Sequence, residues 1–380
     1  MYQLTRYLYE LSEVKGNLIL SLLNKDNEEA LFWTFEYYYS GYYWESINFI
    51  IQIYYDFYYV LNPTFEKYMF IQLKKVTLEN EYEELASLIK LIIDNLIIRP
   101  YTLDTFMLRN MGLQFDIEME EIEDVNKEII SLLMEQENYV YVATLLMKCD
   151  KYKDAKELNE LHKGVVETFE KHIKINKTVK MKETSVLLKK NYKNEIILKR
   201  TIVLAKILNY YAIKQDKKMH RSIYIENNVE KQMDELYIYK TKYPTTLNCD
   251  AKYATNKNDF IEIFQLARFE KENKNYREKY LENWEYYAYN VPYWTHLFGL
   301  YGANVDETKK EVIFNNDENK DEFYDEIDYF PDELSIEIQN KSIGEIKKKC
   351  NLNDFYNKYG GKNVVQIEEE DISDTDLFIL

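Results

Sequence analysis

Four histidines and three cysteines are the residues of this 380-residue sequence best suited to metal or nucleophilic chemistry, and their spacing supports neither. A zinc site needs ligand pairs a few residues apart, so that four donors can close on one ion. Cys149, Cys249 and Cys350 are widely separated, without a CxxC pair or an even-numbered disulfide framework. The histidines are His162, His172, His220 and His296. His162 and His172 have no cysteine at ligand spacing and read as helix-surface residues. His296, within Tyr293-Trp294-Thr295-His296, reads as a packed, hydrogen-bonded core histidine. The phosphate loop G-x-x-x-x-G-K-[ST], the G-x-G-x-x-G fingerprint, the G-x-S-x-G elbow and H-E-x-x-H are all missing. The expectation is a non-enzymatic protein with no catalytic residues, no metal site and no cofactor.

Three stretches have the chemistry of recognition instead. The first is aromatic and runs from Trp33 through Tyr37, Tyr38, Tyr39, Tyr42, Tyr43 and Trp44 to Tyr54, Tyr55, Tyr58 and Tyr59. Consecutive tyrosines cannot all lie on one helix face, so some must be exposed or meet a partner. Tyr38, Tyr39, Tyr42, Tyr43 and Trp44 form the candidate protein-partner surface, because aromatic anchors supply much of the energy of interfaces. Packing within a tyrosine-rich core is the competing reading. The second stretch, Lys171 to Arg221, carries fifteen Lys or Arg against three Asp or Glu. Lys189, Lys190, Lys193, Lys199 and Arg200 are its candidate nucleic-acid contacts, with Tyr192, Tyr210 and Tyr211 placed to stack on bases. The alternatives are docking on the acidic segment Asp306 to Asp332 or a solvated face.

The third stretch is the tail. Val364-Val365-Gln366-Ile367 followed by Glu368-Glu369-Glu370-Asp371 resembles a SUMO-interacting motif. That resemblance implies a short strand added to a sheet edge through Val364, Val365 and Ile367. Ser373 before Asp374 and Asp376 resembles an acidophilic-kinase site. Without those functions, the segment reads as a disordered acidic tail.

The elements that would position these residues are helices. Nine glycines and five prolines in so long a chain are too few for a sandwich or barrel, which needs frequent turns. Asp26 and Glu29 suggest a capping box opening a helix that stops at Ser40-Gly41. A second helix is expected from Tyr43 to Val60, and Asn62-Pro63 starts a third. Helices follow at 78–98, from Thr102 to Gly112, at 118–137, at 139–148 and at 151–172, with basic helices in 171–221. Tyr301–Val305 and Glu311–Phe314 read as a small hairpin across Asp306–Lys310. The fold class is all-α: stacked helical hairpins, as a bundle or irregular solenoid, with an α-rich C-terminal domain carrying that hairpin. The expected division is 1–170 (helical hairpins), 171–242 (basic segment), 243–345 (aromatic and acidic) and 346–380 (tail).

A formal net charge of −17 argues against polyanion binding by the whole chain. No stretch reaches the apolar length of a membrane span, and no signal sequence is evident, so a reducing, cytoplasmic setting without membrane partners is expected. The excess of Lys, Asn, Ile and Tyr follows AT-rich codons.

Two blocks carry a resemblance. Lys25-Asp26-Asn27-Glu28-Glu29-Ala30-Leu31-Phe32-Trp33, Tyr39-Ser40-Gly41, Ile53–Tyr58 and Leu61-Asn62-Pro63 form the first. Trp284–Ala288, Tyr293-Trp294 and Phe330-Pro331-Asp332-Glu333 form the second. Together they resemble uncharacterised helical proteins of nucleocytoplasmic large DNA viruses, which implies a host cytoplasm or viral factory as the setting and transfers no activity. The functional expectation is a protein-interaction or scaffold protein, with a nucleic-acid-associated factor as the alternative. Oligomeric state is left open.

Overall fold

The computed structural model describes residues 3–76, 81–115, 126–148, 155–172, 196–214, 260, 263–264, 266, 283–327, 350–365 and 367. The protein is mostly helical, with one small antiparallel sheet. The chain forms α1 (Leu11–Asn24), α2 (Asn27–Tyr39), α3 (Tyr43–Ile53), a π-helical turn (Tyr54–Tyr58), α4 (Pro63–Leu73), α5 (Glu81–Ile97) and α6 (Asp104–Gln114). There follow α7 (Lys127–Glu135), α8 (Tyr139–Lys148), α9 (Ala155–His172) and α10 (Ile196–Lys214). The last elements are α11 (Trp284–Ala288), α12 (Pro292–Leu300), β1 (Ala303–Asp306), β2 (Glu311–Phe314), α13 (Asp317–Ile327) and α14 (Leu352–Tyr359). Among the described residues no helix is long and apolar enough to cross a membrane.

Local signals account for most boundaries. The Asp26 side chain accepts the Glu29 amide at 3.0 Å and opens α2. Only this half of the capping box forms. The Asp26 amide is already bonded to the Ser21 carbonyl, and the Glu29 carboxylate accepts the Trp33 indole N–H at 3.1 Å. Gly41, at φ +93°, takes the left-handed conformation that ends the helix. The helix expected to run unbroken to Val60 instead widens into the π-turn, where the Tyr59 amide reaches back to the Tyr54 carbonyl at 2.8 Å. Asn62 stands at the N-cap of α4 with Pro63 at the first turn, as expected, but its side chain makes no capping bond; its Nδ2 donates instead to the Tyr58 and Pro100 carbonyls, both at 2.9 Å. The expected hairpin forms, pairing Ala303 with Phe314 and Asp306 with Glu311.

The chain divides into two compact units that are not consecutive in sequence. The first takes Met1–Ile47, Val76–Ile97 and Ile225–Cys350. In it α1, α2 and α5 pack together. A second cluster gathers Leu4, Leu8, Trp284, Trp294, Phe298 and Phe323. Phe298 stacks on Phe323 at 4.9 Å, and Phe314 of the hairpin covers Phe323 at 5.1 Å. His296, expected in a core, is exposed. Helical spacing explains it: Trp294, Leu297 and Phe298 take the inward face of α12, leaving Thr295 and His296 outward.

The second unit takes Asn48–Lys75, Ile98–Tyr224 and Asn351–Leu380. In it α6 packs on α8, where Gly112 lets the backbones nearly touch: a Cβ there would lie 2.7 Å from the Ala143 carbonyl carbon. The π-turn buries Asp56, whose carboxylate pairs with Arg109 of α6 through bonds of 2.9 and 3.0 Å. His162, expected at the surface, is 7% exposed. It shares the inward face of α9 with Leu158, Leu161 and Val165, a spacing that puts it in the core. Its two ring nitrogens have no hydrogen-bond partner among the described residues. Burial, with Lys206 and Lys163 adding positive charge, lowers its pKa from 6.5 to about 3.

Two measurements follow from this unit. Gly112→Ala gains about 1 kcal/mol of helix propensity. Overpacking against backbone costs roughly 1–3 kcal/mol, and since a carbonyl carbon cannot swing aside the loss wins. The urea midpoint is expected to fall; an unchanged or raised midpoint contradicts this packing. His162 stays neutral in the folded chain down to about pH 3, while the unfolded chain takes up a proton near pH 6.5. Its contribution therefore leaves stability intact above pH 6.5 and removes up to about 1.4 kcal/mol per pH unit as pH falls from there towards 3. His162→Leu should flatten that slope in urea titrations across the window.

Candidate interaction surface

The aromatic strip divides between core and surface at the corner where α2 turns into α3. The corner is fixed by the residues before α1. Residues 4–9 have no helix of their own, and Leu8 sits at φ 62°. Their polar groups are satisfied by α2. The Glu36 carboxylate accepts Arg6 Nε at 3.1 Å and the Tyr7 amide at 3.0 Å. Ser40 Oγ accepts the Arg6 amide at 2.7 Å and donates to the Glu36 carbonyl at 2.6 Å. On the far side, the Ser40 carbonyl accepts the Tyr293 amide at 3.1 Å, and a Cβ on Gly41 would meet Pro292 at 2.6 Å. Gly41 is therefore required twice, for its backbone angle and for its lack of a side chain.

The five candidate surface residues fall into distinct places around this corner. Tyr38 is fully buried and its hydroxyl donates to the Tyr82 carbonyl, so it is not on the surface expected for it. The inward face of α2 requires Phe35 and Tyr38 together, three residues apart. Tyr39, Tyr42 and Tyr43 are half-buried, and Trp44 is 40% exposed. Tyr42 is pinned by donating to the Leu4 carbonyl at 3.1 Å. Tyr43 lies against Tyr38 at 4.9 Å and against Tyr82 at 4.4 Å. Tyr82 of α5, not singled out in the sequence, is 56% exposed and extends the aromatic surface. No signal within residues 76–97 pointed to it; only the α2–α5 packing brings it to the corner.

Charge also gathers there. Burial, followed by the charge of Glu45, raises the Tyr42 pKa to about 12. Burial raises Tyr39 to about 12 as well, with Arg6 opposing and Glu83 adding to the rise. Both phenols stay protonated donors near neutral pH. The Arg6 guanidinium lies over the Tyr39 ring at 5.3 Å and over Tyr7 at 4.5 Å. Burial pushes the Glu36 carboxyl upward, against the pull of Arg6 and of the Thr5 and Tyr7 donors.

The other candidates are placed differently. Lys189, Lys190 and Lys193 lie outside the described residues. Lys199 is half-buried on α10, and Arg200 is buried with its guanidinium donating to the Met147 carbonyl. Helix α10 is buried from Leu198 to Ala212 except at Lys199. Tyr210 and Tyr211 lie inside it, Tyr211 taking the Tyr139 hydroxyl at 2.7 Å. The described part of the basic stretch is thus a core helix, because its apolar residues surround the whole cylinder; neither Arg200 nor these tyrosines face a nucleic acid.

The tail motif is likewise buried. Val364, Val365 and Ile367 are all in the core of the second unit. The Asp104 carboxylate at the start of α6 accepts the Val364 amide at 2.8 Å and the Val365 amide at 3.2 Å. Phe355 of α14 packs on Phe106 at 5.2 Å. A strand offered to a sheet edge needs these backbone amides, and here Asp104 holds them. Among the described residues no group of three or more potential metal ligands comes together.

Comparison with protein-family models, with curated proteins and with solved structures finds no match.

Removing the acceptor at the corner tests the arrangement. Glu36→Ala leaves Arg6 buried beside aromatic rings without its carboxylate, which costs about 3–5 kcal/mol. The expected result is a large drop in the unfolding midpoint, with altered near-UV circular dichroism if the chain still folds. A change below about 1 kcal/mol would mean that Arg6 reaches water instead.

Proposed function

We propose that this chain is a non-enzymatic interaction or scaffold protein whose partner docks on the aromatic corner of the first unit. The observation that carries the reading is the exposure of Trp44 and Tyr82 beside Tyr43, on a corner whose neighbouring side chains are held by hydrogen bonds. Large aromatic side chains cost little conformational entropy on binding, and a rigid base reduces that cost further. The core already buries Trp33, Tyr37 and Tyr38 of the same strip, leaving Trp44 exposed, and α5 adds the exposed Tyr82 beside Tyr43. A viral factory or particle is the setting that the resemblance of the short blocks at 25–33, 39–41, 53–58 and 61–63 suggests for this role.

The test is capture from native lysate with nuclease present, followed by mass spectrometry, comparing the parent chain with the Trp44→Ala/Tyr82→Ala double variant. Exposed substitutions change stability by within about 0.5 kcal/mol, so both chains should fold alike. A partner recovered by the parent and reduced at least about tenfold with the variant supports the reading. An identical partner set from both overturns it.

A further inference from the structure

We infer that the start of α6 is a docking site for an extended peptide carrying an asparagine followed by aliphatic residues, and that residues 363–367 fill it as the chain's own exchangeable ligand. The site lies within the second unit, and its occupancy does not depend on the aromatic corner.

The site is built from what α6 offers at its first turn. Helix starts carry backbone amides without intrahelical acceptors, and here the Leu103 amide donates to Asn363 Oδ1 at 3.1 Å. In the other direction, the fully buried Asp104 carboxylate accepts the Val364 amide at 2.8 Å and the Val365 amide at 3.2 Å. A carboxylate that takes two consecutive amides requires a segment whose donors are not already spent in a helix or sheet. Val364, Val365 and Ile367 are all buried, so aliphatic side chains are selected along with the asparagine. Backbone and side chain are read together.

Three features mark residues 363–367 as an occupant of α6 and not part of its frame. Helix α6 is held without them, by the pairing of Arg109 with Asp56 at 2.9 Å and by α8 and α10 packed along it. Residues 361–365 add neither helix nor strand to the unit, and they follow the exposed Gly361, which has open space where a Cβ would stand. Polar capacity is also left over. Thr102 Oγ1 and Thr105 Oγ1, on either side of Asp104 in the chain, are buried and have no hydrogen-bond partner among the described residues. Buried hydroxyls ordinarily find partners, so a segment that reaches these two gains what residues 363–367 leave unused.

The full chain would be titrated with a fluorescein-labelled peptide of residues 360–371 and with a scrambled version of it, binding being read by anisotropy. A tethered segment competes at high effective concentration, so the parent chain should bind the peptide weakly. Val364→Asp/Val365→Asp sets carboxylates beside Asp104 and empties the seat. This variant is expected to bind the peptide at least about tenfold more tightly than the parent, and the scrambled peptide not at all. Adding Asp104→Asn turns one acceptor oxygen into a donor facing the amides and should weaken that binding about tenfold. A variant that keeps its far-UV circular dichroism yet binds neither peptide, or both equally, overturns the inference. So does self-association of the parent that the double variant abolishes, which would make a second copy the occupant. Should the double variant unfold, hydrogen exchange of the parent decides. The Val364 and Val365 amides should exchange through a local opening that urea barely accelerates, unlike the Leu108 amide within α6. The same urea dependence for all three amides makes the segment part of the core and overturns the docking site.

Discussion

The buried carboxylate of Glu36 organises the first unit. It accepts from Arg6 and Tyr7, and those two bonds seat a segment that has no regular secondary structure of its own. Once seated, that segment offers its own groups to others: the Arg6 carbonyl takes the Trp294 indole N–H at 2.8 Å, and the Leu4 carbonyl takes the Tyr42 hydroxyl. Leu4 and Leu8 then join the cluster around Trp284 and Trp294. One buried acid therefore connects α2, through Arg6, to Trp294, 288 positions beyond Arg6. A carboxylate taken out of water is tolerated only when its lone pairs are filled, and the structure fills them from Arg6 and two neighbouring residues.

A tyrosine-rich chain meets a second constraint, because every buried phenol carries a hydroxyl that needs a partner. Acceptors come mainly from carbonyls and carboxylates. Tyr54 donates to the Asn62 carbonyl, Tyr38 to that of Tyr82, and Tyr55 to the Glu66 carboxylate, which also pairs with Lys206 at 3.5 Å. The π-turn contributes to this by advancing the chain an extra residue, so that Tyr54, Tyr55, Asp56, Phe57 and Tyr58 are all buried. Five consecutive residues become core, and Asp56 among them is paired with Arg109. Codon usage could explain how many tyrosines there are. Only acceptor geometry explains where they sit.

The basic stretch and the tail teach the same lesson from the opposite side. Lys206 and Arg200 sit on α10 among apolar residues on all sides and are neutralised or hydrogen-bonded inside the second unit. Val364 and Val365 are held by Asp104, which was one of many carboxylates without an assigned role. Charge density along the chain was thus a poor guide to which charges are outside. Of the five aromatic candidates Trp44 is the one exposed, and with Tyr82 of α5 it defines the candidate surface.

By itself the sequence determined the helical class, the start of α2, the α2–α3 turn and the hairpin at 303–314, but not α1. These are set by neighbours a few residues apart: Asp26 before Glu29, Gly41 after Ser40, and the alternation around Asp306 to Lys310. It also located the aromatic strip. Which of its rings face outward was decided by tertiary packing: Tyr38 shares the buried face of α2 with Phe35, while Tyr43 at the start of α3 lies half-buried between Tyr38 and Tyr82. The burial of His162 was legible in its spacing from Leu158 and Val165, whereas Tyr82 was not, since its role comes from a helix more than forty residues from Tyr38. The interleaving of the two units was equally beyond local reading. Helix propensity and capping act over a few residues, while Glu36, Asp56 and Asp104 choose partners across 30, 53 and 260 positions.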